Sequence, residues 1–135
     1  MRSIPDIVKQ LIIINVLFFV GTFLISPDIT GLITDLLALH YPGNYRFGFW
    51  QLLTHMFMHG GFSHILFNMF GLWMFGSPLA QMWGKNKFLF FYISAGLGAA
   101  LVQLTVNYAQ VSAIIEQLVS AGFSESTILD LLQSE

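Results

Sequence analysis

The stretch that decides the fold reads FGFWQLLTHMFMHGGFSHILFNMFGLWMFGSPLAQMWG (residues 47–84), and it contains no charged side chain. A helix that crosses a bilayer needs about 20 mostly apolar residues, so this stretch is too long for a single span. The pair Gly60–Gly61 breaks the pattern, and Ser63 can cap the start of a helix. We therefore predict a membrane-dipping loop at about 45–61, followed by a membrane span at about 62–83.

Apolar runs on either side of this stretch predict two more spans. The run LIIINVLFFVGTFLI (11–25) predicts a first span at about 7–26, and the run that begins at Phe88 predicts a third at about 88–107. A cleaved signal peptide is the alternative for the first run, but it would want small residues just before the cleavage point, and residues 23–27 (FLISP) offer a poor site. The predicted fold class is therefore all-α, a polytopic transmembrane helical protein with three spans.

The composition supports a membrane protein and excludes several other classes. The 135 residues are 56% hydrophobic and 9% charged, whereas about a quarter of the residues in soluble domains are charged. A formal net charge of −2, with 5 dispersed Lys and Arg residues, argues against nucleic acid as a partner. Since the chain contains no cysteine, it has no disulfide, no thiol nucleophile and no thiolate metal site.

Basic residues near the ends of the predicted spans set the orientation. Arg2 and Lys9 precede the first span, while Lys85 and Lys87 join the second span to the third. Positively charged loops stay on the cytoplasmic side of a membrane, so the N-terminus should be cytoplasmic and residues 28–61 should lie on the far side. We expect an integral protein of a bacterial inner membrane, whose partners include the lipid bilayer.

The last part of the sequence differs from the membrane part. Residues 1–108 carry the predicted spans, whereas residues 109–135 contain several acidic side chains and apolar residues at amphipathic helical spacing. Ser124 is placed to cap the last helix. We predict a polar amphipathic tail or a loop between spans here, and we expect the chain to be a truncated product because it reaches Glu135 without a stop signal.

Four polar side chains lie in or beside the second predicted span, namely His55, His59, His64 and Asn68. Polar groups inside a membrane are costly and are functional hypotheses by default. His64 and Asn68 are four residues apart, so a helix places both hydrogen-bond donors on one face. Such a pair can stabilise the oxyanion that forms when a peptide carbonyl is attacked. The alternative is that the two side chains only hydrogen-bond to each other or to neighbouring helices.

A metal site is a weaker interpretation of the same histidines. His55 and His59 are also four residues apart, but zinc proteases place a glutamate directly after the first histidine, and here Met56 occupies that position. No carboxylate occurs between Arg46 and Glu116. Haem held between histidines remains an alternative that only the histidine count supports. We therefore predict no metal and no cofactor, and for His59 we expect a hydrogen bond that holds the loop.

In type and spacing, these residues resemble the rhomboid family of intramembrane serine proteases. The resemblance covers residues 4–108 and implies a six-span helical core, of which this chain would hold three spans. It implies that a serine on the fourth span attacks the substrate and that a histidine on the sixth span acts as base. It also implies that His64 and Asn68 stabilise the oxyanion, while His59 and His55 support the site. The matching residues are Trp50, Thr54, His55, Met58, His59, Gly60, His64, Asn68, Met69, Gly76, Trp83 and Gly84.

The chain also departs from the family pattern. Gln51 stands where the family usually has Arg, and Ala80 stands where it usually has Glu. There is no Gly-x-Ser-Gly, and no histidine follows His64. The resemblance therefore implies a serine endopeptidase that cleaves single-span membrane proteins, with this chain supplying the oxyanion half and being inactive alone. Its partner would be a missing C-terminal half or a second copy of itself. The alternative is a non-catalytic protein that binds membrane clients.

Overall fold

The computed structural model describes residues 3–23 and 27–133, and this part of the chain is helical without any strand. The elements are α1 (Asp6–Phe23), α2 (Pro27–Leu37), α3 (Gln51–Thr54), a 3-10 turn (His55–Phe57), α4 (Phe62–Gly71), a π-helical stretch (Leu72–Gly76), α5 (Ser77–Trp83), α6 (Lys85–Ser120) and α7 (Glu125–Gln133). The prediction of an all-α chain is confirmed.

Two of these helices, α1 and α6, are long and apolar enough to cross a membrane. The predicted span at about 62–83 is helical throughout, but it is divided into α4, the π-helical stretch and α5. Pro78 explains the division, because it lacks the N–H that would bond to the carbonyl of Met74 and so interrupts the α-helical ladder. The three spans and the six-span bundle therefore stay predictions.

The core lies where α1 packs against α5 and the first turn of α6. It is formed by Ile7, Val8, Leu11, Ala80 and Phe88. Gly76 allows this packing, since a Cβ there would lie 3.2 Å from Cζ of Phe88. Ala80 is one of these core residues. A small apolar side chain therefore fills the position where the family pattern given above usually has a glutamate.

Helix α6 is longer than the predicted third span. Its 36 residues extend about 54 Å at the rise of an α-helix, well beyond the hydrocarbon core of a bilayer. The sequence contains no Gly or Pro between Gly98 and Gly122, so nothing stops the helix near residue 107. Gly122, with φ of 93°, ends it, and Phe123 N–H donates to the carbonyl of Leu118 (3.1 Å) in a Schellman motif.

The polar tail contains the end of α6 and all of α7. Ser124 caps α7 as predicted, because its Oγ accepts a hydrogen bond from the backbone N–H of Thr127 (3.3 Å). Helix α2 was not predicted. It begins at Pro27, a residue that suits the first turn of a helix, and it leaves Ile29 and Leu32 exposed.

Candidate active site

Gln51 anchors the segment that carries the site. Its side chain is fully buried at 0% exposure, and Nε2 donates to the carbonyls of Arg46 (2.8 Å) and Leu36 (3.3 Å). Its Oε1 accepts a hydrogen bond from the backbone N–H of His40 (3.1 Å). The carboxamide both donates and accepts, whereas a guanidinium only donates. Gln51 therefore holds the loop by bonds that an arginine could make only in part.

Two neighbours of Gln51 bond to the same end of helix α2. Trp50 Nε1 donates to the carbonyl of Leu36 (2.7 Å), and Thr54 Oγ1 donates to the carbonyl of Leu37 (2.7 Å). The last carbonyls of a helix have no partner within the helix. Side chains at the two ends of α3, from Trp50 directly before it and from Thr54, thus bond to the C-terminal carbonyls of α2 and join the two helices.

The 3-10 turn at His55–Phe57 is fixed between α1 and α6. The Phe57 ring stacks on Phe18 of α1, with ring centroids 5.6 Å apart. On the other side, the Met56 side chain fills the place where a Cβ of Gly96 would be, so its Sδ and Cε pack directly on the α6 backbone. A helix that lacked a glycine at this point would push the turn away.

His59 links the loop to α4. It is buried, with 6% of its surface exposed. Its Nδ1 lies 3.2 Å from the carbonyl oxygen of Phe57, and its Nε2 lies 3.0 Å from Nδ2 of Asn68. A carbonyl oxygen only accepts, so Nδ1 carries the proton and Nε2 accepts from the Asn68 amide. Both bonds are satisfied by one neutral tautomer of His59.

The surroundings of His59 favour that neutral form. His59 lies in the loop before α4, outside the predicted spans. Burial has the largest effect and lowers its pKa below the ordinary value of 6.5; the hydrogen bond to the Phe57 carbonyl raises the pKa by less, and nearby His64 lowers it further. Protonation of His59 would place an N–H against Nδ2 of Asn68, so the bond in its present form requires the neutral ring. His59 thus bonds to the loop through the Phe57 carbonyl and to α4 through Asn68, and its role in supporting the site stays a prediction.

His64 and Asn68 lie one helical turn apart on an exposed face of α4. Within the described part of the chain they do not bond to each other, and His64 makes a ring contact with His59 at 5.1 Å between centroids. Asn68 uses one amide hydrogen for His59, and Nδ2 has a second. Both side chains therefore retain a donor that no described residue uses.

His55 completes the set of predicted site residues. Its Nδ1 donates to the carbonyl of Gln51 (2.9 Å), which orients the ring. A cavity of about 660 Å³ adjoins all four side chains. Its lining includes His55, Met56, His59, His64, Asn68, Gly96, Tyr92, Asn15 and Gln103. The structure thus brings His55, His59, His64 and Asn68 together on one cavity.

Residues 3–23 and 27–133 hold no group of three or more His, Cys, Asp or Glu side chains placed to bind a metal ion. His55 and His59 form hydrogen bonds within the protein, whereas His64 has only its ring contact with His59. We call His55, His59, His64 and Asn68 the donor site, because they offer hydrogen-bond donors to the cavity.

Sequence reasoning missed three polar residues of the cavity lining, Asn15, Tyr92 and Gln103, of which Asn15 is the most buried. Asn15 is fully buried in α1 at 0% exposure, and its Nδ2 donates to the carbonyl of Leu11 (2.7 Å) and lies 3.5 Å from the hydroxyl of Tyr92. Its Oδ1 has no partner among the described residues. The signal was present, since Asn15 is the one polar side chain in the run LIIINVLFFV.

Known proteins are similar to the part of the chain that carries the site. The family model of the rhomboid domain matches residues 46–128, which include the whole donor site. "Rhomboid protease GluP" of Bacillus subtilis is 36% identical over 58 residues, covering 43% of this chain and 11% of that protein. "RHOMBOID-like protein 5" of Arabidopsis thaliana is 38% identical over 53 residues, covering 39% of this chain and 17% of that protein.

A longer match extends over most of the chain. "Rhomboid-like protease 1" of Toxoplasma gondii is 23% identical over 111 residues, which are 78% of this chain and 38% of that protein. The chain thus spans well under half of the length of these relatives. No solved structure matches it.

Proposed function

Since this chain belongs to the rhomboid family, we propose that it supplies the oxyanion-stabilising half of an intramembrane serine endopeptidase. The observation that carries the proposal is a difference in burial and hydrogen bonding between the side chains of the donor site. His59 is buried and has both ring nitrogens bonded, whereas exposed His64 and Asn68 keep donors for a ligand.

The proposed reaction is acyl transfer from a peptide bond to a serine and then to water. The serine oxygen attacks the carbonyl carbon of the substrate as a histidine base takes the hydroxyl proton. The carbonyl oxygen becomes an oxyanion, and it accepts hydrogen bonds from an N–H of His64 and from the second amide N–H of Asn68. The base then returns the proton to the leaving amine. Water releases the acyl group by the same steps and regenerates the serine.

We propose that the serine and the base lie on a segment outside these 135 residues. The sequence supports this, since it has no Gly-x-Ser-Gly and no histidine after His64. The exposed face of α4 beside the cavity offers a surface for such a segment. The assembled protein would then be a six-span bundle, and its substrates would be single-span membrane proteins cleaved near the far-side face.

Complementation tests this proposal. The chain is reconstituted in vesicles with a single-span reporter, either alone or together with a segment that carries the serine and the histidine base. We expect no cleavage by the chain alone and cleavage by the pair, measured as reporter fragments. Cleavage by the purified chain alone would contradict the assigned roles.

A non-catalytic function is the second candidate, and Ala80 favours it. This side chain lies in the apolar core at a position where the family usually carries a glutamate. A client-binding protein would retain the reporter in the same vesicles and leave it intact, even in the presence of the complementing segment. Co-purification without fragments would therefore support client binding over proteolysis.

A further inference from the structure

A second cavity lies at the turn between α5 and α6, at the opposite end of α4–α5 from the donor site. Its volume is about 530 Å³, and it is lined by Trp83, Asn86, Lys87, Phe90 and Phe91. The turn is formed by Gly84, whose φ of 78° is a conformation that favours glycine. The rings of Trp83 and Phe91 meet edge to face, with centroids 5.4 Å apart, and form one rigid wall.

The charge at this cavity is not balanced within the described residues. The ion pairs among the described residues join Lys9 to Asp6 (3.3 Å) and Arg46 to Asp35 (3.4 Å), and neither pair includes a residue that lines this cavity. Lys87, like its neighbour Lys85, is exposed and forms no ion pair in residues 3–23 and 27–133. No carboxylate occurs in the sequence between Arg46 and Glu116. The cavity therefore presents a cation and a carboxamide beside an aromatic wall.

The apolar side of the cavity continues along a helix that is suited to lipid. Phe90 is 77% exposed, and α6 is a candidate membrane span whose surface is mostly uncovered. Tryptophan at the end of a span is typical of the membrane interface. Lysine near a span end attracts the anionic headgroups of the cytoplasmic leaflet. A ligand that fits both sides must combine an anionic group with a hydrocarbon chain.

We propose that this cavity binds one anionic phospholipid, with its phosphate on Lys87 and Asn86 and an acyl chain along Phe90. The charge of Lys87 and the aromatic lining favour a lipid over a soluble anion, because a soluble anion would leave the apolar half of the cavity unused. This site is separate from the donor site and does not depend on catalysis.

Native mass spectrometry of the 135-residue chain in detergent tests the proposal. The probes are phosphatidylglycerol and phosphatidylcholine with identical acyl chains. We expect one saturable phosphatidylglycerol adduct and weaker binding of phosphatidylcholine. A basic residue near a membrane surface contributes about 1 kcal/mol, so Lys87→Gln should weaken phosphatidylglycerol binding about fivefold.

Lys9→Gln is the matched control. It removes the same charge on the same predicted side of the membrane, but from a lysine that is paired with Asp6, and we expect a change of less than about twofold. Equal weakening by the two variants would overturn the site, as would equal affinity for both lipids. Displacement of phosphatidylglycerol by inorganic phosphate would also overturn it, because the ligand would then be a free anion.

Discussion

The roles of His59 and Asn68 follow from the hydrogen bonds that each side chain makes and from the N–H groups that remain unbonded. His59 is neutral with its proton on Nδ1, so its Nε2 fixes the orientation of the Asn68 amide. A carboxamide held in this way presents its second N–H in a defined direction, and preorganised donors are what an oxyanion site requires. His59 is thus a positioning residue for Asn68.

The protonation of His59 gives a pH prediction. Because its pKa is lower in the folded chain than the ordinary 6.5, the unfolded chain binds a proton more readily. The stability due to the neutral ring is therefore complete above about pH 6.5 and declines as the pH falls. We expect the free energy of unfolding in detergent to decrease between about pH 7.5 and about pH 5.

The His59→Gln variant separates this effect from other titrations. It removes the titrating ring and keeps a side chain that can both donate and accept. We expect it to be less stable at neutral pH but to lose less stability on acidification. An identical pH slope in the two proteins would show that His59 is not the group responsible.

At the scale of elements, one glycine of α6 determines how closely the loop approaches. A Cβ at Gly96 would overlap Met56, whereas a Cβ at Gly98 would meet nothing within 4 Å. We expect Gly96→Leu to lower the free energy of unfolding by about 1–3 kcal/mol relative to Gly98→Leu, because it overpacks the contact with the 3-10 turn. Both variants gain the same helix propensity, so their difference isolates the contact.

Thermal unfolding of the two leucine variants in detergent measures this difference. Adding Met56→Ala to Gly96→Leu should recover part of the loss, since it removes the side chain that is displaced, and a double-mutant cycle gives the coupling. Equal stability of the Gly96→Leu and Gly98→Leu variants would show that Met56 does not hold the turn against α6.

The sequence was most informative where the signal is local. The spacing of His64 and Asn68 is sufficient to place them on one helical face, and Ser124 is recognisable as a cap before α7. The bond from Asn68 to His59 could not be predicted, because it depends on the path of the loop through Gly60–Gly61.

Contacts between distant segments of the chain also could not be predicted from the sequence. Gln51 was identified only as a departure from the family pattern, whereas its four partners come from α2 and the following loop. Helix α2 was missed because its 11 residues are short and mix polar with apolar side chains. The interruption after Gly71 has a visible cause in Pro78, but the π-helical geometry does not follow from that residue alone.

For the whole molecule, the topology depends on whether residues 62–83 cross the membrane. The 10, 5 and 7 residues of α4, the π-helical stretch and α5 together extend about 33 Å, close to the roughly 30 Å of a hydrocarbon core. We therefore expect the turn at Asn86 and the loop at Tyr45 to lie on opposite sides.

Single-cysteine labelling measures this directly, because the chain has no cysteine of its own. We expect Ser3→Cys and Asn86→Cys to react from the cytoplasmic side, and Tyr45→Cys and Ser126→Cys to react from the far side. If Tyr45→Cys and Asn86→Cys reacted from the same side, residues 62–83 would not span the bilayer, and the proposed three-span half would be wrong.

The central claim is that His64 and Asn68 together receive the charge of a cleaved peptide carbonyl. The most direct measurement is the cleavage rate of a single-span reporter by the chain complemented with the serine and histidine segment. Loss of one oxyanion donor typically reduces kcat by about 10²- to 10³-fold. The control is Gln117→Ala, which removes an exposed carboxamide on α6 and should leave the rate unchanged. We predict at least that loss for the pair His64→Phe and Asn68→Leu, with the assembled protein still folded, and an undiminished rate would contradict the account.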